Sequence, residues 1–146
     1  MDFDAAMKIS AAGMKAQRAW MNVLSANLAN INTTRTPSGK PYERRTIVYE
    51  ATPAEEDFDH ILDDLCSASL QSVRVVDVVA DGRAFREVHD PGHPDANDEG
   101  VVALPNISSI EEMTNMVLAT RSYEANLAAL NNSKHMALKA LEIGRS

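Results

Sequence analysis

The sequence predicts a mainly α-helical protein with a small β region, and three observations carry that prediction. Apolar residues recur at helical spacing from Phe3 to Ile31, they do so again from Ser109 to Gly144, and the β-rich runs are confined to the stretch between. The expected architecture is a pair of long N- and C-terminal helices forming a coiled coil, joined by a central β-hairpin and linker segment. Residues 1–35, 36–107 and 108–146 are the corresponding N-terminal helix, central region and C-terminal helix.

The first helix shows Met7, Met14, Met21 and Leu28 at a strict interval of seven, a narrow seam on an Ala-rich cylinder that lets other helices approach closely. Gly13 costs it about 1 kcal/mol. The run from Asn30 to Pro37 should end the helix, because Asn and Thr side chains compete for backbone hydrogen bonds and Pro37 forbids continuation. In the centre, Arg45–Glu50 and Val73–Val79 read as strands, with Asp81-Gly82 joining the second to Ala84–Val88, so residues 73–88 are expected to form a hairpin. Thr52-Pro53-Ala54-Glu55 has the form of a helix start, which places a short helix near 53–66, and Val101–Leu104 adds a short strand. The last helix opens on a capping box, Ser109 with Glu112 or Ser108 with Glu111 in a shifted frame. Its seam runs through Met113, Met116, Thr120, Tyr123, Leu127, Leu130, Lys134, Ala137 and Leu141, with Gly144 as C-cap.

Composition narrows the function classes. The 146 residues are 45% apolar and 24% charged, which suits one folded unit, and no apolar run reaches the ~20 residues that span a bilayer, so no membrane insertion is expected. The net charge of −7 lacks a basic stripe and argues against nucleic acid. Residues 36–108 carry fifteen acids against six bases, whereas both ends are close to neutral. Near-neutral, Ala- and Met-rich ends suit either a two-helix core or cover by neighbouring molecules. Met1-Asp2-Phe3-Asp4 is acidic where a secretory signal is basic, so no cleaved signal is expected. Cys66, the one cysteine, excludes an intramolecular disulfide.

The one constellation resembling a chemical site is His89–Asp98, dense in imidazole and carboxylate. Pro91, Gly92 and Pro94 prevent the helical placement that would set His89 and His93 on one face, so a rigid turn closed by Asx hydrogen bonds is the reading taken over a metal site. Gly92 is expected to supply a positive φ there. His60 and His135 have no visible catalytic partner, and Asp63 and Asp64 disfavour a reactive Cys66 thiolate. The acidic run Glu55–Asp59 reads as a solvated face. No phosphate-binding or nucleophile-elbow motif occurs in the sequence, and neither an enzymatic activity nor a cofactor is expected.

The run Ser25-Ala26-Asn27-Leu28-Ala29-Asn30-Ile31-Asn32-Thr33 resembles the signature of the bacterial flagellar axial proteins, the rod, hook and hook-associated subunits. Asp90-Pro91-Gly92-His93-Pro94-Asp95-Ala96-Asn97, Arg121–Asn126 and Ala137–Arg145 are similar to the proximal rod subunits within that family. The resemblance implies a structural, self-assembling subunit of the periplasmic rod of the basal body. Its terminal helices would form a coiled-coil inner domain, with the middle as an outer linker and β-rich region. It also implies other rod subunits, copies of the same chain, an adaptor to the MS ring and the flagellar type III export apparatus as partners. The helix seams bear on subunit packing, and Asn27, Asn30, Asn32, Thr33, Asp90, Pro91, Gly92, His93 and Pro94 carry the signature. Beside this reading stand another proximal rod subunit and a soluble helical adaptor that uses the same seams to bind a target helix.

Overall fold

A computed structural model describes residues 3–53 and 70–144. Apart from Pro53, the helix expected near 53–66 lies outside the described residues, together with the acidic run and Cys66. Helix α1 spans Phe3–Ala29 and α2 spans Ser109–Ile143. Between them lie β1 (Arg45–Pro53), β2 (Gln71–Ala80), β3 (Arg86–His89) and β4 (Val101–Leu104). Two long terminal helices enclosing short strands is the expected fold class.

The strand pairing departs from expectation. β1 pairs with β2, and β3 pairs with β4 in an antiparallel ribbon that matches Arg86 with Leu104 and His89 with Val101. Residues 73–88 are therefore not a hairpin. A two-residue turn at Asp81-Gly82 would require positive φ, which among the described residues only Gly39 and Gly100 adopt. Asp81 N–H instead donates to the Arg44 carbonyl at 2.6 Å, and the Asn106 side chain donates to the Arg83 carbonyl at 2.9 Å, so the chain passes from one ribbon to the next. Thr52 and Pro53 are the last residues of β1.

The helix ends are set locally. Asn30 closes α1, its N–H and side-chain amide both donating to the Ala26 carbonyl, at 3.1 and 2.9 Å. At the start of α2 the shifted capping frame is the one adopted. Ser108 Oγ accepts the Glu111 N–H at 3.5 Å, which frees the Glu112 carboxylate for a different task.

The chain divides into two compact units. One, made of Trp20–Val48 and Asp77–Leu118, contains the large buried side chains: Leu24, Ile47, Val102 and Ile107 with Asn27, Arg44 and Glu112. The other includes Met1–Ala19 and Ala119–Ser146, and its buried positions are small: Ala5, Ser10, Gly13, Ala16, Ala119 and Ser133. There, a Cβ on Gly13 would fall 2.7 Å from Asn126 Oδ1, so the mid-helix glycine is the price of close approach between α1 and α2. Gly13 meets Asn126 and Asn27 meets Glu112, steps in opposite senses along the two helices, as an antiparallel pair requires.

Candidate functional site

Three buried polar residues in the first unit have no place in an ordinary apolar core. Asn27 and Glu112 are each 0% exposed and Arg44 is 8% exposed. Burying such groups is tolerable only when every polar atom is paired. Asn27 Nδ2 donates to the Arg45 carbonyl at 2.9 Å and to Glu112 Oε2 at 3.0 Å. Its Oδ1 accepts the Arg45 N–H at 3.0 Å and the Tyr42 hydroxyl at 3.1 Å. By bonding both the N–H and the C=O of Arg45, the side-chain amide acts as a strand neighbour would, and β1 starts against a helix without an orphaned backbone.

Glu112 is fixed from its other side by Arg44, whose Nε donates to Oε1 at 2.6 Å. Arg44 Nη1 donates to Asp81 Oδ2 at 3.0 Å, and its backbone N–H donates to Asn106 Oδ1 at 3.2 Å. Towards solvent, Arg83 bridges Asp81 at 2.8 Å and Glu111 at 3.2 Å. Burial alone would raise the Asp81 carboxyl, but hydrogen bonds from Arg83 and Arg44 outweigh it and hold it below its ordinary value. Hydrogen bonds from Arg83 hold Glu111 low as well, and those same bonds raise the Arg83 guanidinium. Tyr42 is raised by burial, opposed by the Arg45 charge. The network ties the end of α1, the start of β1, the turn after β2 and the first turn of α2 into one hydrogen-bonded body.

The Asp90–Asn97 segment is a run of hydrogen-bonded turns. Asp90 Oδ1 accepts the Gly92 N–H at 3.2 Å, an Asx turn, and Asn97 Oδ1 accepts the N–H groups of Glu99 and Val101 at 3.0 and 2.8 Å. The Thr34 hydroxyl donates to Asp95 Oδ2 at 2.7 Å, joining this turn to the segment after α1. The positive φ belongs to Gly100, at 72°, and not to Gly92; a Cβ on Gly100 would meet Pro91 and His89 at 3.0–3.3 Å. His93 Nδ1 accepts the Asp95 N–H at 3.1 Å. Among the described residues no three His, Cys, Asp or Glu side chains are grouped to hold a metal ion.

The remaining sequence-predicted positions are dispersed. Asn30 caps α1 and accepts the Thr33 hydroxyl at 3.2 Å, while Asn32, Pro91 and Pro94 are exposed. Met7, Met14, Met21 and Leu28 are half-buried, as are Met116, Tyr123 and Leu130. Met113, Leu127 and Leu141 are 61, 41 and 66% exposed. The least exposed positions of α2 outside the network are Ala119 and Ser133, each one residue before a member of the expected seam. Sequence reasoning missed Glu112 as the partner of Asn27 and Arg44 as the partner of Glu112, since 85 residues separate the first pair and 68 the second. The one local sign was two adjacent glutamates where the cap needs one.

Two family profiles match the ends of the chain: one described as Flagella basal body rod protein over residues 7–35, the other as Flagellar basal body rod FlgEFG protein C-terminal over residues 98–143. Together they define a structural component of the flagellar rod, a class without enzymatic activity. Over the full length, the chain is similar to flagellar basal-body rod protein FlgC from Bacillus subtilis, with 42% identity over 95% of this chain and 96% of that protein. It is likewise similar to FlgC of Borreliella burgdorferi, at 36% identity over 98% of each chain, and of Salmonella typhimurium, at 32% over 94% of this chain. The chain belongs to the FlgC family of proximal rod proteins of the flagellar basal body.

Proposed function

We propose that this chain is a self-assembling segment of the periplasmic drive shaft. In this reading residues 1–35 and 108–146 form the coiled-coil inner domain and 36–107 the outer linker and β-rich region. It packs with copies of itself and with other rod subunits, meets an adaptor at the MS ring, and is exported through the type III apparatus. One observation carries the packing role. In α2 the buried positions are Glu112, Ala119 and Ser133, small or polar, whereas Ile110, Met113, Val117, Leu118, Leu127 and Leu141 are exposed. A helix normally turns its large apolar side chains inward. Their outward placement supports partners that cover them, with Met7, Met14, Met21 and Leu28 of α1 and Met116, Tyr123 and Leu130 of α2 flanking the same contacts.

Replacing Met113, Leu127 and Leu141 together by Ser tests this. Monomer stability should change by less than about 1 kcal/mol, as for exposed sites. Basal bodies purified from cells carrying the variant should lack the rod beyond the point of its incorporation, and motility should be lost. Normal rods would overturn the reading.

A further inference from the structure

An open cleft of about 570 Å³ lies in the first unit, lined by Thr36, Pro37, Ser38, Lys40, Pro41, Tyr42, Glu43, Arg45 and Ala80. Its walls combine two cations, Lys40 and Arg45, with one carboxylate, Glu43, an aromatic ring and two prolines. The Arg45 guanidinium stands 6.0 Å from the centre of the Tyr42 ring, and both Lys40 and Arg45 are exposed. The nearby bases are already engaged: Arg35 with Asp95, Arg44 with Asp81 and Glu112, and Arg83 with Asp81 and Glu111. Among the described residues no carboxylate forms an ion pair with Lys40 or Arg45. With two cations against the single carboxylate of Glu43, the lining is net positive in a chain of net charge −7.

The complementary charge is in the same sequence. Residues 51–73 hold six carboxylates and no Lys or Arg, and the densest run is Glu55-Glu56-Asp57-Phe58-Asp59, with one aromatic among four acids. The geometry points to the cleft as the seat for this acidic segment of a neighbouring copy of the chain, held by charge complementarity with Lys40 and Arg45. A neighbour's segment is favoured over the chain's own because Arg45 opens β1 and Pro53 ends it, and eight steps of extended strand advance about 26 Å before the acidic run begins. The inference rests on the reading of the chain as an assembling subunit. It adds an electrostatic clasp outside the helices, sensitive to salt because Lys40 and Arg45 are exposed.

Two measurements test it. A fluorescent peptide of residues 51–62 should bind the full-length chain saturably, and the Lys40→Glu/Arg45→Glu variant should bind it about tenfold more weakly or worse, the change expected when two ion pairs become like-charge contacts. The same peptide with Glu55, Glu56, Asp57 and Asp59 replaced by Lys should recover binding to that variant. Unchanged affinity for the variant, or no recovery with the reversed peptide, overturns the clasp. The Arg45 side chain takes no part in the hydrogen bonds to Asn27, so the variant is expected to fold, and its melting temperature checks this. Carbodiimide coupling in an equal mixture of ¹⁴N- and ¹⁵N-labelled full-length chain should join Lys40 to the acidic run in pairs of mixed isotope; pairs of one isotope only would overturn the assignment to a neighbour. Sedimentation of the same variant reports assembly separately. A variant that assembles normally but fails the peptide test removes the clasp and leaves the rod reading intact.

Discussion

Replacing Asn27 by Ala removes one side-chain amide and strands four groups at once: the Arg45 N–H and C=O, the Tyr42 hydroxyl and Glu112 Oε2. A typical intramolecular hydrogen bond contributes about 1 kcal/mol net, and more when the acceptor is charged. The four bonds together set the loss near 4 kcal/mol, less whatever water entering the vacated space recovers, so about 3–4 kcal/mol is expected. That is a large share of the ~5–15 kcal/mol by which domains are stable. Urea unfolding of the monomer, followed by tyrosine and tryptophan fluorescence, measures it. Asn27→Asp sharpens the test, because a carboxylate keeps the two acceptor roles, loses both donor roles and sets a second negative charge against the fully buried Glu112. At neutral pH this variant should be no more stable than Asn27→Ala. The new carboxyl has a folded-state pKa raised above its unfolded value, so its penalty is present at neutral pH and is relieved as pH falls through that raised value. The gap between the two variants should therefore narrow or reverse in acid. A cost below about 1 kcal/mol for Asn27→Ala, or an Asn27→Asp variant more stable than Asn27→Ala at neutral pH, would refute the account of the network.

Other outcomes follow from the same geometry. Gly13→Ala should gain little or lose stability, because the new methyl meets the Asn126 amide, whereas in an Asn126→Ala background it should recover up to about 1 kcal/mol of helix propensity; a thermal-melt double-mutant cycle measures the difference. Asp81 and Glu111 both have depressed folded-state pKa values, so the stability they contribute is present above their unfolded values, near 4, and is lost as pH falls through the folded ones. Arg83→Gln should lower the melting temperature at neutral pH, with the deficit shrinking towards pH ~2. Gly100→Val should destabilise more than Gly92→Val, since only Gly100 combines a positive φ with contacts at 3.0–3.3 Å, and chemical denaturation ranks the pair. Hydrogen exchange on dilute monomer should show stronger protection at Leu24–Asn27, Arg44–Ile47 and Val102–Glu112 than at Ala5–Ala16 and Ala119–Ser133, where only small side chains are buried.

How far the sequence could be read depended on the range of the interaction. Both long helices were legible because helical period and capping are local, and β1, β2 and β4 were legible from their β-branched residues. Strand partners were not. Asp81-Gly82 has the composition of a tight turn, but contacts from Arg44 and Asn106 hold the chain in another course. The seam of α2 was half legible. Met116, Tyr123, Leu130 and Ala137 are half-buried, whereas Ala119 and Ser133 are buried beside Thr120 and Lys134. Apolar size is a sound guide to burial only when a chain covers its own large side chains, and α2 exposes Met113, Leu127 and Leu141. Asn27 was marked by its signature without its task being visible, since that task depends on Arg45 and Glu112, brought to it by the fold.

A shaft that carries torque loads its parts in shear, and apolar contact is non-directional, so packed side chains can slip past one another while remaining buried. Hydrogen bonds resist such slip, because they weaken steeply once donor and acceptor fall out of line. Asn27, with bonds to both the N–H and the C=O of Arg45 and one to Glu112, would work as a keyway between helix and strand, resisting slip of α1 along the start of β1. Torsional stiffness in this chain would then reside in a few amide and carboxylate bonds, with the exposed methionines and leucines left to supply adhesion.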